Sequence, residues 1–593
     1  MDNIFQYLKP NEAVYTGKVA ETIKFITEKQ LKDRELWRMF VEQFRTHADT
    51  NDLGWRGEYW GKMMRGGCLT YIYSGDESLY AVLKEAVEGL IETQDELGRI
   101  STYDTAVEFN GWDMWCRKYV LTGLQHFYRI CKEDELKVSV KHALMESADY
   151  ICSKIGEGKI DIRTTSSFWG GVNSCSILEP FVELYKLTKE QRYLDFARYI
   201  IDGGGCIDGN LLQCAATEGC YPYQYPEVKV YETMSFFEGV LAYYEVTGEK
   251  QYLDVVMKFV EDAYKTDGTI VGGVGGGYEL FDNFHGKQTE EIEADIQETC
   301  VTVTWIRLLV RLFLLTGKAN YADRIERSSF NALWGSLNTE WNKCYRTYTQ
   351  EWFGALPFDS YSPLVNGRRA REIGGFRMMA NGVPYGCCAC IGAAGFALVP
   401  LFGVLRNENG FVFNFYFNGE INTKTPMGND VKIKITSLYP CDGKVKVDID
   451  CKEKEEFCIQ FRKPTWGKEI SVKGISYTES ADYIVVEKEW CGQESIELQI
   501  TMELSAHELN GKTAFSYGPL ILALEEGKGN GELNREFVVD SLTGKMEILK
   551  EKELLRFEMN EKDGKLLFMD YASSGKEWER EDSKISVWLK VRK

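Results

Sequence analysis

The chain has 593 residues, 44% of them hydrophobic and 27% charged, with a formal net charge of −20. That length implies two to four domains, and the apolar fraction is enough to bury a large core. The acidic balance excludes nucleic acid and anionic membranes as natural partners, because both attract basic surfaces.

Residues 1–30 show no basic stretch leading into a long apolar run, so no secretory signal is expected. No stretch of about 18 uninterrupted apolar residues is present, so no membrane-spanning helix is expected either. The 17 cysteines include scattered ones such as Cys68, Cys116, Cys152 and Cys175 inside periodic segments. In a large chain without a signal these read as buried free thiols, and a cytoplasmic location follows as the expectation.

From the start to about residue 400 the periodicity is helical. Pairs of amphipathic runs meet at a recurring polar turn that starts at Ser74, Cys131, Thr188, Thr247 and Thr316, at spacings of 57, 57, 59 and 69 residues. A helical hairpin cannot bury its apolar face alone and must stack on its neighbours. Five or six such hairpins could form an open solenoid or close into a ring, and their length and loop chemistry favour an α/α toroid over residues 1–400. The loops between hairpins combine glycine with tryptophan, as in Gly54-Trp55-Arg-Gly-Glu-Tyr-Trp, Asn110-Gly-Trp112-Asp113-Met-Trp and Phe168-Trp169-Gly-Gly. Such tryptophans either face a ligand or plug the centre of the ring. Near residue 401 the period changes to two, in segments such as Val431-Lys-Ile-Lys-Ile and Val445-Lys-Val-Asp-Ile-Asp. Residues 401–593 are therefore expected to form one or two antiparallel β-sandwich modules that brace the helical domain.

Histidine is scarce, limited to His47, His126, His142, His285 and His507, and no two stand four residues apart. A histidine-rich metal site is therefore not expected. The glycine-rich Gly272-Gly-Val-Gly-Gly-Gly lacks the parallel-sheet setting of a nucleotide loop. Two other segments carry metal chemistry. Gln297-Glu298-Thr-Cys300 opens one apolar helix, and Tyr385-Gly-Cys387-Cys388-Ala-Cys390 opens another. A helix N-terminus favours thiolate over thiol. Glu298, Cys300, Cys387 and Cys388 together suit tetrahedral Zn2+. Cys390 is an alternative to either member of the pair, and buried thiols beside one exposed Cys-Cys turn are the plainer reading. Acid–base chemistry would also need a proton donor. Glu279, in Gly276-Gly-Tyr-Glu-Leu-Phe, is a carboxylate beside aromatics, where burial would favour the protonated form. The run Glu290, Glu291, Glu293, Asp295 reads as a solvated face.

These motifs, in this order, resemble glycoside hydrolase family 127, whose founding activity is β-L-arabinofuranosidase. The resemblance rests on Trp55-Arg-Gly-Glu-Tyr-Trp-Gly-Lys, Gly111-Trp-Asp-Met-Trp, Glu298-Thr-Cys300, Tyr321-Ala-Asp-Arg-Ile-Glu-Arg, Cys387-Cys388 and Tyr517-Gly-Pro-Leu-Ile-Leu-Ala-Leu-Glu. It implies an (α/α)6 barrel followed by β-sandwiches, with zinc held by Glu298, Cys300, Cys387 and Cys388. It further implies Cys387 as nucleophile and Glu279 as acid/base in a retaining reaction. Asn173 and Lys229 stand near places where such enzymes put pocket histidines; with Trp55, Trp112, Asp113 and Trp169 they make up the expected sugar-binding set. Ile391 and Ala394 depart from the family pattern after the cysteine pair. The expected partner is a small oligosaccharide or glycoside, and a homodimer is compatible with the sequence. The alternatives are a hydrolase of the same family acting on another sugar, or a non-catalytic carbohydrate-binding relic with structural zinc.

Overall fold

The computed structural model describes residues 3–592 apart from 293, 339–356, 371–372, 549–554, 562–563 and 578–579. Glu293 of the acidic run thus lies outside the described residues.

Among the described residues, six long helices are buried on nearly every face: α1 (Gly57–Ser74), α2 (Asp113–Ile130), α3 (Leu178–Thr188), α4 (Val230–Thr247), α5 (Thr299–Thr316) and α6 (Cys387–Gly403). Each packs on the next in chain order, and α6 packs back on α1. The helices that alternate with them, such as Glu77–Ile91, Gln191–Asp202 and Lys250–Asp267, bury only one side. The recurring polar turn is the device that reverses the chain. Gly75, Gly248 and Gly317 end α1, α4 and α5 in the left-handed region, where a side chain would be strained. Lys189 takes the same conformation after α3 without being glycine. On the return helix, Asp76 caps the start by accepting from the backbone N–H groups of Ser78 and Leu79.

Close approach of the inner helices depends on missing side chains. A Cβ added at Gly61 of α1 would lie 1.9 Å from the Tyr119 carbonyl oxygen of α2, and one at Gly66 would lie 2.8 Å from the Ala393 Cβ of α6. Ala394 is fully buried at that same α1–α6 contact. Helix α5 is long and apolar enough to cross a membrane by length and composition, but 78% of it is buried inside the protein, where it serves as an inner helix.

The change to strands comes at Val404. In Asp430–Ser437 the buried residues Val431, Ile433 and Ile435 alternate with exposed Asp430, Lys432 and Lys434, the period-two pattern of a half-buried strand. The first sheet runs from Val404 to Ile500 and is extended by two N-terminal strands: Gln6–Tyr7 pairs with Val404–Asn407, and Ala13–Tyr15 pairs with Gly419–Lys424. Pairing is mostly antiparallel, but Gly410–Phe413 runs parallel to Lys444–Arg462, and Glu536–Ile548 runs parallel to Lys590–Arg592. The second sheet runs from Leu504 to Arg592. It shares a core with the loops between helices, where Ile521, Val587 and Trp588 meet Val271, Phe284, Ile296 and Leu364. Arg369 donates to the carbonyls of Tyr571 and Ser574, and Tyr571 donates to the Pro363 carbonyl. The second sheet therefore clamps the segment that carries Tyr361.

Candidate active site

The inner helices begin at one end of the helical domain, and the residues with chemistry sit in or beside their first turns. Glu58 is the second residue of α1, and Asp113 is the first of α2. Asn173 lies in the short helix Val172–Cys175 before α3, and Glu232 is the third residue of α4. Glu298 precedes α5, Cys300 is its second residue, and Cys387 and Cys388 open α6. Helix N-termini carry partial positive charge, so their convergence favours thiolates and carboxylates here.

Glu298, Cys300, Cys387 and Cys388 meet, their ligand atoms all within 4.8 Å of one another. The three sulfur–sulfur separations are 3.5, 3.5 and 3.8 Å. Glu298 Oε1 lies 3.5 Å from Cys388 Sγ and 3.9 Å from Cys387 Sγ. A tetrahedral ion with sulfur at about 2.3 Å and oxygen at about 2.0 Å requires edges of about 3.8 Å and about 3.5 Å. Glu298 Oε2 is buried with no hydrogen-bond partner, as a carboxylate awaiting a cation would be. The residues fit a bound metal. Cys390 is buried on the same helix but does not belong to the group.

Among the three cysteines only Cys387 keeps any exposure, at 6%; Cys300 and Cys388 have none. Hydrogen bonds from Cys300 and Cys388, helped by Lys62 and Lys229, hold the Cys387 thiol well below its ordinary pKa. Burial pushes the other two thiols up. Burial, Glu279 and Cys387 push the Glu298 carboxyl up. The chain can pass this close to Cys387 because residue 375 is glycine. A Cβ there would lie 2.2 Å from Cys387 Sγ, and Gly375 holds φ +56°, a left-handed conformation. The Gly375 carbonyl also accepts from Trp55 Nε1 (2.8 Å) and Tyr59 OH (2.6 Å), which ties the α1 loop to the nucleophile's cover.

Glu279 stands in a short strained turn, with Tyr278 and Glu279 both at positive φ. Rather than an isolated acid among aromatics, it is a paired carboxylate. Lys229 Nζ donates to Oε2, and Tyr361 OH donates to Oε1 at 2.6 Å. Burial alone would lower the Lys229 pKa, but Glu232, Glu279 and Glu298 outweigh it and hold the ammonium charged. Lys229 also lies over the Trp169 ring at 5.2 Å, so Trp169, Lys229 and Glu279 form one wall.

The other expected binding residues divide. Trp55 and Trp112 meet edge to face at 5.6 Å, Trp112 stacks on exposed Phe168, and the Arg377 guanidinium lies 3.6 Å over the Trp55 ring. Asp113 is buried and its oxygens are taken up by Arg117, Ser101 Oγ and the Phe109 N–H, an arrangement that holds the loop before α2. Asn173 donates to Ser166 Oγ (3.0 Å) and to the Gly111 carbonyl (3.4 Å), leaving Oδ1 buried without a partner.

Several residues escaped the sequence reading. Lys62 has no exposure and places Nζ 3.7 Å from Cys300 Sγ and 3.0 Å from Glu58 Oε1. It also lies over the Tyr231 ring at 4.6 Å, and Tyr231 and Tyr119 join through their hydroxyls. Burial pushes Glu58 up to about 7, opposed by Lys62 and reinforced by Cys387. Burial also pushes Glu232 up to about 7, with Lys229 opposing and Glu279 adding to it. Lys62 and Glu58 belong to the Trp55–Lys62 motif, and their spacing of four on a helix was the signal that could have found them.

The family model described as β-L-arabinofuranosidase, GH127 catalytic domain, matches residues 11–350, and that for the GH127 middle domain matches residues 410–502. The first exceeds half of the chain. The crystal structure of a GH127 β-L-arabinofuranosidase from Geobacillus stearothermophilus T6 superposes with a TM-score of 0.74 at 17% identity, covering 98% of this chain and all of that one. A second structure, described as a GH127 β-arabinofuranosidase, superposes with a TM-score of 0.75 at 16% identity, covering 100% of this chain and 98% of that one. At such identity these two show a shared fold. The comparison with curated proteins gave no match. By the family models, the chain belongs to glycoside hydrolase family 127, a family of glycosidases named for β-L-arabinofuranosidase.

Proposed function

We propose that this protein is a retaining β-L-arabinofuranosidase in which Zn2+ is held by Glu298, Cys300, Cys387 and Cys388. The nucleophile is Cys387 and the acid/base is Glu279. The helical part is read as an (α/α)6 toroid with the site at the N-terminal end of its inner helices, followed by β-sandwiches. One observation carries the reading. Within a four-residue group of tetrahedral dimensions, one cysteine alone retains exposure, and a glycine passes directly against its sulfur.

Zinc suits three sulfurs and one carboxylate, and when bound it supplies thiolates at neutral pH. The protein's own residues do the rest. Cys387 Sγ attacks the anomeric carbon while Glu279 passes a proton to the departing glycosidic oxygen. Glu279, then ionised, takes a proton from water, which displaces the sulfur and restores the starting configuration. A sugar hydroxyl beside Lys229 offers the ammonium a neutral acceptor. Trp55, Trp112 and Trp169 present apolar faces to the sugar.

The test is turnover of aryl β-L-arabinofuranoside by zinc-loaded protein. Cys387→Ser and Glu279→Gln should each lose at least about a thousandfold in kcat/KM while remaining folded. Full activity in both variants would refute the assignment. Turnover of a different aryl glycoside alone would favour another sugar within the same family.

A further inference from the structure

Two buried oxygens at the mouth of the inner helices lack partners in a way that the proposed chemistry leaves unexplained. Glu232 is 3% exposed and its Oε2 has no hydrogen-bond partner. Asn173 has no exposure, and its Oδ1 has none either. The amide orientation of Asn173 is fixed, because Nδ2 faces the Gly111 carbonyl and only a donor can do so. Neither oxygen reaches bulk water, and buried polar atoms are seldom left unsatisfied.

Their placement is specific. Glu232 lies one turn beyond Lys229 at the start of α4, and Lys229 donates to Glu279. The short helix bearing Asn173 packs on α4 and on α2. Asn173 is held by the loop that leads into Trp112. The two oxygens therefore belong to the same rim as the Trp169, Lys229 and Glu279 wall. A sugar presents several O–H donors within a small volume, which is what two acceptors on one rim call for.

We infer that Glu232 is a substrate-binding residue whose Oε2, together with Asn173 Oδ1, accepts hydrogen bonds from hydroxyls of the bound sugar. The inference rests on the hydrolase reading and names the part of the site that recognises the sugar. Lys229 supplies a donor to the same ligand, so acceptors and a donor stand side by side.

The experiment compares Glu232→Leu with the unaltered enzyme, both zinc-loaded, on 4-nitrophenyl β-L-arabinofuranoside and its 2-deoxy, 3-deoxy and 5-deoxy analogues. On the parent glycoside the variant should lose about 10–100-fold in kcat/KM, the range of one buried hydrogen bond. On the analogue missing the partner hydroxyl, the variant and the unaltered enzyme should differ by less than about threefold, because the interaction is already absent. An equal loss on the parent and every analogue, or no loss at all, overturns the inference, since a structural role or confined water would give those results. If the leucine variant does not fold, Glu232→Ala gives the same readout. If the unaltered enzyme cleaves none of these glycosides, the hydrolase reading fails separately. Calorimetric titration with L-arabinose then decides: weaker binding by the variant supports the inference, and equal or absent binding overturns it.

Discussion

Lys62 Nζ lies 3.7 Å from Cys300 Sγ, and Lys62 has no exposure. A buried ammonium needs anionic partners, and Lys62 has two, Glu58 and the sulfur group. Three thiolates and a carboxylate around a divalent ion leave a net charge of −2, and Lys62 and Lys229 are the cations that face it. Lys62→Met should weaken zinc retention by about 10–100-fold, the usual range for a group that supports a ligand. Competition with a chromogenic chelator measures this. Unchanged retention would mean that Lys62 serves Glu58 alone.

Gly375 sits where no side chain fits. Gly375→Ala must place a carbon against Cys387 Sγ and hold a left-handed backbone, which costs about 1–2 kcal/mol before the clash is counted. Activity should fall at least about a hundredfold, because small misplacements of reacting groups have effects of that size. Steady-state kinetics and metal content, measured together, separate a displaced sulfur from a lost ion.

Tyr361→Phe removes the 2.6 Å hydrogen bond to Glu279 Oε1 and little else. Stability should change by about 1 kcal/mol or less, whereas kcat should fall about tenfold as the acid/base loses one of its two anchors. Chemical denaturation and kinetics test the two halves independently. A stability loss with no change in kcat would place Tyr361 in the scaffold alone.

Glu232 gives a pH signature. Its folded pKa of about 7 stands above the ordinary carboxyl value of 4.5, so the folded state binds its proton more tightly than the unfolded state does. That contribution is full below about pH 4.5 and is lost as pH rises through about 7, by roughly 3 kcal/mol in all. Glu232→Gln should flatten this part of the stability profile between pH 5 and 8. An unchanged slope in the variant would assign the proton uptake elsewhere.

Much of this architecture was legible in the sequence because it is local. Glycine after Ser74, Thr247 and Thr316 marks a left-handed helix end, and the alternation over Val431–Ile435 marks a strand. The Glu298, Cys300, Cys387, Cys388 group was also readable, since two short motifs at helix starts hold all four residues. Tyr361 was not, because it reaches Glu279 across 82 residues, on a segment held by backbone hydrogen bonds to Ile296 and Thr299 and by the second sheet. The N-terminal strands were missed for a similar reason. Gln6–Tyr7 and Ala13–Tyr15 are too short to show a period, and their partners lie about 400 residues away. The partners of Asp113 were not legible either: Arg117, Ser101 and Phe109 bind its oxygens, and only the first shares its helix. Asp113→Asn is therefore expected to lower stability by about 3 kcal/mol, through a broken buried ion pair.

The central claim is a zinc ion bound by three sulfurs and one carboxylate oxygen, and X-ray absorption at the zinc edge of the purified protein tests it most directly. The account predicts one zinc per chain, with three sulfur neighbours at about 2.3 Å and one oxygen at about 2.0 Å. A protein that takes up no zinc, or a shell of four sulfurs in which Cys390 has displaced Glu298, would contradict it.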